Sequence, residues 1–507
     1  MSWAFHFSRV LDFRTGGTTR TGVLITQVVL LCLVGTMAPV TAIAQTAPQP
    51  TTQTAPQSTM QSMTPSAAAL PNPSSADSDS LPVFEIKKKP WLAATEVIGI
   101  NLLIWSYNRF LRESGQNPGF RIGFNSWEEN ILNGFEWDDN SFSTNQFAHP
   151  YHGNLYFNAA RSNGYGFWGS MPFAFAGSWM WEYIMETHHP SINDWVATAF
   201  GGSALGETTH RLSAMVFDNT ATGGSRFWKE LGGFLINPMG GLNRMISGEA
   251  FDVYANPPDR FPSKLQANYE IGFRTIGENR VWESDTTRVY MEMDFYYGDP
   301  FAGDVQKPFD SFDFNLQLNF NDKSFIGRAQ AKGIYFASVL QESERTQHLV
   351  AAYQHYDYIN NWAFEFGGQS ISASYLSKIE LGRSSLTTEF HGLGMILGAT
   401  KSDYENFTGR SYDYGPGLGF EFQSVLHRQG RPFFTIGTSS FWIHVLNGND
   451  ANHFVSFTWA RLDLQIRNFF GVGFEYDLYY AERHYDDFED VSQRNPEFRV
   501  FFSWILD

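Results

Sequence analysis

Cysteine is nearly missing from this chain. The single cysteine, Cys32, lies in the apolar run 23–37, which follows three arginines and precedes small residues that end at Ala44. Basic residues, an apolar run and small residues in this order predict a secretory signal peptide (1–44) that is cleaved after Ala44; a retained inner-membrane anchor is the alternative. The mature chain then has no cysteine, which excludes disulfides, thiol catalysis and cysteine-based zinc sites.

Positive charge is also scarce. The chain has 35 Lys and Arg against 52 Asp and Glu, a formal net charge of −17, and no basic stripe is visible. A nucleic-acid partner is therefore excluded, because phosphate binding needs clustered cations. The acidity fits a water-filled lumen with acidic loops, or a pore that attracts cations.

Long uninterrupted apolar helices are lacking as well. Apolar segments at 91–111, 167–186, 192–216 and 226–235 predict helices, but each holds a charge or a helix breaker. A charge at the centre of a spanning helix costs roughly 2.5–3.5 kcal/mol. We therefore expect a helical module (86–250) that lies against the periplasmic leaflet or inside a barrel mouth, after a disordered linker (45–85) rich in Thr, Gln, Pro and Ser.

Aromatic residues, by contrast, are abundant. They make up 17% of a chain whose mean hydropathy is only −0.28, and beyond Gly248 apolar and polar residues alternate. Strands with one side for lipid and one for water show this period of two. The predicted fold class is an α+β membrane protein, whose helical module precedes an antiparallel transmembrane β-barrel (251–507) of about twelve strands, within a range of ten to fourteen. A soluble β-sandwich is the alternative.

Several motifs in 120–250 resemble the bacterial DUF3943 family. They are FNSWEEN, then FEWDDNSFSTNQFAHPYHGNLYFNAARSNG, then FAGSWMWEYIMETHHPSINDWVATAFGGSALGETTHRL and LINPMGGLNRMISGE. The resemblance implies an exported envelope protein and implies no activity, because none is established for the domain.

The module carries clustered titratable residues. Candidates for acid–base catalysis are Glu182, His188, His189, Asp194, Glu207 and His210. Candidates for ligand binding are His149, His152, Asn154 and Arg161. The alternative for both groups is a polar network that holds aromatic helices together. A di-metal bundle needs two Glu-x-x-His pairs on its helices, and only the pair Glu207 and His210 lies within a predicted helix, so neither a metal nor a cofactor is predicted.

Some module residues have a structural interpretation. Ser191 and Asp194 have the spacing of a helix-capping box. Gly201, Gly202 and Gly206 would let a second helix approach closely. The spacing of Glu182, Ser191, Asp194, Gly201 and Gly206 is also similar to that in the VanZ-like helical family, and this resemblance implies a site for an amphiphile or a cell-wall-like ligand.

These patterns lead to ranked hypotheses on function. The first is a non-enzymatic barrel of the cell outer membrane with a structural, lipid-organising or transport role, whose partners are outer-membrane lipid and the barrel-assembly machinery. The second is a membrane-embedded enzyme that acts on lipid or envelope polymer through the Glu/His cluster, and the third is a small pore. The barrel histidines His391 and His444 are isolated along the sequence, so no hydrolase signature is recognised.

Overall fold

The structure is a computed structural model that describes residues 87–112, 119–281, 287–303, 305–320, 322–405, 409–467 and 469–506. The predicted signal peptide and the whole of the predicted linker lie outside the described residues. Within these ranges, helices precede a closed barrel of twelve strands, which confirms the predicted fold class. None of the described helices is both long and apolar enough to cross a membrane.

The helical module contains eight α-helices in the described residues. They are α1 (Pro90–Ser106), α2 (Phe124–Asn133), α3 (His149–Ser162), α4 (Phe167–Met180), α5 (Ile192–Val196), α6 (Gly202–Val216), α7 (Gly223–Ile236) and α8 (Pro238–Ser247). Short π-helical turns extend four of them, at Tyr107–Arg112, Thr144–Ala148, Trp181–Met185 and Ala197–Gly201. The apolar segments predicted as helices are helical, whereas α2, α3 and α8 were not predicted because their sequences are polar.

Every strand of the barrel pairs antiparallel with its neighbours along the chain, and β1 pairs with β12 to close the sheet. The strands are β1 (Leu265–Ile276), β2 (Thr287–Tyr297), β3 (Phe312–Asn319), β4 (Ile326–Glu342), β5 (Thr346–Asn360), β6 (Glu365–Leu381), β7 (Ser384–Lys401), β8 (Tyr412–Arg428), β9 (Arg431–His444), β10 (Ala451–Arg467), β11 (Phe470–Tyr485) and β12 (Val491–Leu506). The predicted order and number of strands are therefore confirmed.

The two ends of the barrel differ in their connections. At one end, here called the termini end, β1 begins and β12 stops, and the turns 343–345, 382–383, 429–430 and 468–469 are tight. The other end, here called the loop end, carries the longer connections 277–286 and 402–411. The segment 298–311 is the exception, because it is a long connection at the termini end.

Contacts across the barrel show which side chains point inward. Lys332 Nζ on β4 lies 2.8 Å from Glu389 Oε2 on β7 and 3.4 Å from Glu421 Oε1 on β8. Arg328, on the same strand, donates to Tyr479 Oη on β11 at 3.4 Å. Because successive strand residues face opposite sides, these contacts identify the inward face of β4, β7, β8 and β11.

Inward-facing side chains occupy the lumen towards the loop end. One group is apolar and forms a buried cluster: Ile359, Phe364, Phe366, Leu393, Met395, Phe441, Ile443, Val455, Phe457, Tyr479 and Ala481. The other group is charged, and in it Arg499 lies within 3.2 Å of carboxylate oxygens of Glu292, Glu475, Asp477 and Glu497. A cavity of about 560 Å³, lined by acidic and basic side chains, remains towards the termini end.

The helical module packs against the outward face of β2–β8. The Tyr356 hydroxyl of β5 donates to Gln146 O (2.8 Å), and Asn145 Nδ2 donates to Tyr412 Oη of β8 (2.9 Å). Tyr356 follows His355, which lines the lumen cavity, so Tyr356 points outward. The predicted position inside the barrel mouth is therefore wrong, and the position against the periplasmic leaflet stays a prediction.

The amino acids of the barrel wall explain this docking. The outward face of β4 carries the small residues Ala329 and Ala331, which leave room for helices, and both belong to the same buried apolar cluster as side chains of the module. Outward tyrosines on β5 and β8 supply hydroxyl groups that pair with the helices. A helix bundle can therefore replace lipid on this side of the barrel.

The surface of the module that faces away from the barrel is apolar. Its exposed large side chains include Trp91, Leu103, Phe110, Leu111, Phe124, Ile131, Leu132, Phe227, Trp228 and Ile246. The parts of the outward barrel wall that the module leaves uncovered, on β7 and β8 as well as on other strands, also expose Phe390, Phe420, Phe434, Ile466, Phe474 and Phe502. Proteins in water rarely expose apolar surface on this scale. The exposed faces of the module and of the barrel therefore both fit an apolar environment.

Candidate metal centre in the helical module

A tight crossing of α3 and α6 positions the candidate site. Gly153 and Gly202 meet there, and a Cβ atom on Gly153 would lie 1.8 Å from Thr198 O. Gly206 likewise lies against the Phe157 ring, and Gly201 against Pro150. The prediction that these glycines allow close helix approach is confirmed. The crossing holds the first turn of α3 beside the π-helical turn that precedes α6.

Three side chains from different elements converge next to this crossing. His149 begins α3, Glu182 lies in the π-helical turn after α4, and Asp194 lies in α5. Their possible ligand atoms all lie within 4.8 Å of one another. His149 Nε2 is 3.5 Å from Asp194 Oδ2. Glu182 and Asp194 are buried, and the side chain of His149 is 11% exposed.

Hydrogen bonds fix the orientation of each of these side chains. The Ser191 backbone N–H donates to Glu182 Oε2 (2.9 Å), and Asn193 Nδ2 donates to Asp194 Oδ1 (2.8 Å). His149 Nδ1 lies 3.3 Å from Thr198 Oγ1. One atom of each side chain is thus held by the protein, an arrangement typical of ligands in metal sites.

Ser191 directly precedes α5, at its N-cap position, but its side chain forms no capping bond. The predicted capping box is therefore wrong, and Asp194 faces Glu182 and His149 instead. The site also touches the barrel, because Asn193 Nδ2 lies 3.3 Å from Tyr414 Oη on β8. The three residues consequently lie close to the seam between module and barrel.

The charges around the site are unbalanced. Burial raises the pKa of Glu182, and repulsion from Glu186 raises it further. Burial and then repulsion from Asp138 raise the pKa of Asp194. Burial lowers the pKa of His149 to about 4. Among the described residues, neither Glu182 nor Asp194 forms an ion pair with a lysine or an arginine.

The predicted catalytic cluster does not converge as a whole. Glu207 Oε2 accepts from Arg161 Nε at 2.7 Å, and Glu207 Oε1 accepts from Arg211 Nε at 2.8 Å. Burial would raise the pKa of Glu207, but the two guanidinium groups outweigh it and hold the pKa at about 2. Burial lowers the pKa of the neighbouring His210 to about 3. Glu207 therefore belongs to a structural ion-pair network.

The remaining predicted histidines also lie apart from the three converging residues. His188 is exposed. His189 Nδ1 pairs with Glu136 Oε1 at 2.6 Å near the module surface. His152 Nε2 lies 2.7 Å from the Tyr156 hydroxyl, and its ring packs edge-on against Trp181.

Two predicted ligand-binding residues have structural partners. Asn154 Oδ1 accepts from Asn158 Nδ2 (2.7 Å) and from Thr209 Oγ1 (2.8 Å), which links α3 to α6. Arg161 is engaged by Glu207, as above. These contacts fit the alternative interpretation, a polar network that holds the helices together.

The sequence analysis missed a polar contact inside the barrel. Ser374 Oγ lies 2.7 Å from His391 Nδ1, and His391 Nε2 lies 3.2 Å from Glu389 Oε2, so His391 is not isolated. Ser374 and His391 are cross-strand partners on β6 and β7, which sequence separation conceals. Serine, histidine and carboxylate in series resemble a hydrolase triad. However, Glu389 lines the lumen cavity, whereas the buried Ser374 and His391 do not. His444 is exposed and lies 3.2 Å from Asn452.

Residues 134–239, which include all three converging side chains, match the family described as "Domain of unknown function (DUF3943)". This segment is a DUF3943 domain. The DUF3943 segment covers α3 to α7 and excludes the barrel. The similarity to the VanZ-like family stays a prediction.

Other comparisons add little to the DUF3943 match. No curated protein matches the chain. The "NanC porin" structure has a TM-score of 0.26 at 9% identity, over 47% of this chain and 98% of that one. The outer membrane channel DcaP of Acinetobacter baumannii has a TM-score of 0.21 at 9% identity, over 48% and 96%. The toluene transporter TodX of Pseudomonas putida has a TM-score of 0.21 at 8% identity, over 48% and 90%. TM-scores this low carry no argument on function.

Proposed function

We propose that the protein is an outer-membrane β-barrel with a structural, lipid-organising role. The closed sheet leaves no strand edge unpaired, as the bilayer interior requires. The termini and the tight turns share one end, as they do in bacterial outer-membrane barrels, where that end faces the periplasm. The outward faces of the uncovered strands are apolar.

The observation that carries the proposed role is the apolar outer surface of the docked module. In most outer-membrane barrels lipid contacts the outer wall, but here the helices cover part of the outward face of β2–β8 and present their own aromatic and aliphatic side chains. The module therefore widens the surface that the protein offers to lipid on one side. We infer that outer-membrane lipid is the partner that this surface contacts.

The contents of the lumen argue against a transport role through an open pore. Tyr479 Oη receives contacts from Arg328 and from Arg499, each at 3.4 Å, so side chains from β4, β11 and β12 meet across the lumen. The inward-facing apolar cluster includes Tyr479 and so adjoins these contacts. A route for ions would have to break these contacts.

The test compares outer-membrane lipid in a wild-type strain and in a strain that lacks the gene. Envelope fractionation and heat-modifiable gel mobility first establish where the protein resides and that the barrel is folded. We expect the protein in the outer-membrane fraction, and a changed lipid composition or outer-leaflet permeability in the deletion strain. An unchanged lipid profile with intact permeability would contradict a lipid-organising role.

A second candidate function is a membrane-embedded enzyme that acts on lipid or envelope polymer. The convergence of His149, Glu182 and Asp194 is the observation that favours it. Complementation separates the two candidates. A folded Glu182→Gln variant should restore the lipid profile if the role is structural, and should fail to restore it if the role is enzymatic.

A further inference from the structure

The three converging side chains supply the donor atoms that a transition metal ion prefers. One imidazole nitrogen and two carboxylates form a set that binds Zn²⁺ in proteins. Two ligands that each lie about 2.1 Å from a tetrahedral ion are separated by about 3.4 Å. The observed separation of His149 Nε2 and Asp194 Oδ2 is 3.5 Å.

The environment of the site supplies a second, independent argument. The two buried carboxylates, Glu182 and Asp194, have no lysine or arginine partner in the described part of the chain, whereas the buried Glu207 has two arginine partners. Buried charges in proteins are paired or they coordinate metals. In the same helical bundle, the carboxylate of Glu207 is thus neutralised by two arginines, whereas those of Glu182 and Asp194 face only a histidine.

The surrounding hydrogen bonds are also those of a metal site. Thr198 holds Nδ1 of His149 and so directs Nε2 towards Asp194. Asn193 holds Oδ1 of Asp194, which leaves Oδ2 on the side of His149. Partners of this kind orient metal ligands and typically change metal affinity by 10–100-fold when they are removed.

From this geometry we propose that His149, Glu182 and Asp194 bind one divalent transition metal ion, of which Zn²⁺ is the best fit. The proposal does not depend on the lipid-organising role, since it concerns the interior of the module. The ion balances the two carboxylates and ties α3, α5 and the π-helical turn after α4 to one another.

The test measures metal in the full chain, folded and purified in detergent. After equilibration with ZnCl₂ and removal of free ion, elemental analysis should find about one Zn²⁺ per chain. Glu182→Gln and Asp194→Asn should each weaken Zn²⁺ binding at least tenfold. The matched control is the His189–Glu136 pair, which lies outside the site. The Glu136→Gln and His189→Gln variants should bind Zn²⁺ as tightly as the wild type.

Heat-modifiable gel mobility shows whether each variant is folded. Should the carboxylate variants fail to fold, Co²⁺ added to the wild-type chain gives a second measurement, because a nitrogen–oxygen site of low coordination number produces visible absorption bands. Wild-type protein without stoichiometric Zn²⁺ or Co²⁺ bands would overturn the proposal. Folded Glu182→Gln and Asp194→Asn variants that keep full Zn²⁺ affinity would also overturn it. Neither result depends on where the protein resides or on any lipid change.

Discussion

Single residues in the module show two ways in which a carboxylate can be buried. Glu207 is enclosed by two arginines, whereas Glu182 and Asp194 face a histidine. The sequence placed all three carboxylates in one candidate group and assigned His149 to another. Spacing along a helix cannot separate them, because π-helical turns shift the register of the side chains that follow.

Replacing Glu207 tests the ion-pair network at the residue scale. Glu207→Gln leaves two arginines partly unpaired and should lower the free energy of unfolding by about 3–5 kcal/mol at neutral pH. The folded-state pKa of about 2 lies below the ordinary value of 4.5. The ion pairs therefore stabilise the module above pH 4.5, and their contribution is lost as the pH falls from 4.5 towards 2.

Thermal unfolding in detergent, followed from neutral pH to pH 3, measures this effect. The difference between wild type and Glu207→Gln should shrink as the pH falls below 4.5, because the carboxyl of the unfolded wild-type chain then takes up a proton while the folded one, with its pKa of about 2, stays ionised. The exposed Glu128 provides the control, and Glu128→Gln should change stability by less than about 0.5 kcal/mol. A difference that is the same at every pH would contradict the assignment.

At the scale of helices and strands, the sequence patterns predicted the elements themselves better than they predicted which elements pack together. The glycines of α6 indicated a close helix contact, and the structure confirms it; α3 was not recognised as their partner because its sequence is rich in asparagine and histidine. Similarly, the period of two predicted twelve strands. It could not reveal that outward tyrosines such as Tyr356 and Tyr412 bind helices, since tyrosine is equally suited to a membrane interface.

The α3–α6 crossing can be tested with a matched pair of glycine substitutions. Gly153→Ala places a methyl group against Thr198 O and should destabilise the module by about 1–3 kcal/mol. Gly224→Ala, in α7, meets no atom within 4 Å and should leave stability unchanged or slightly raised. Limited proteolysis of the module and thermal unfolding measure both variants. Equal stability of the two variants would show that the crossing is looser than described.

For the whole molecule, the filled lumen predicts electrical behaviour. The reconstituted barrel should show little or no steady ion conductance in planar bilayers. Arg499→Ala removes the centre of the charged network and should raise conductance or its noise. Phe434→Ala, on the outward face, is the control and should not. A stable, large conductance from the wild-type protein would instead support a pore.

The central claim is that the helical module lies on the outward wall of the barrel in contact with lipid. Spin labels at Leu103→Cys and Trp228→Cys, in a cysteine-free background, test it most directly in reconstituted membranes. Phe434→Cys on the barrel gives the lipid reference, and Asp259→Cys gives the water reference. We predict that the module labels collide with dissolved oxygen far more than with a polar nickel reagent, as the Phe434→Cys label does. The claim would be contradicted if the module labels behaved like the Asp259→Cys label while the Phe434→Cys label on the barrel still behaved as lipid-exposed.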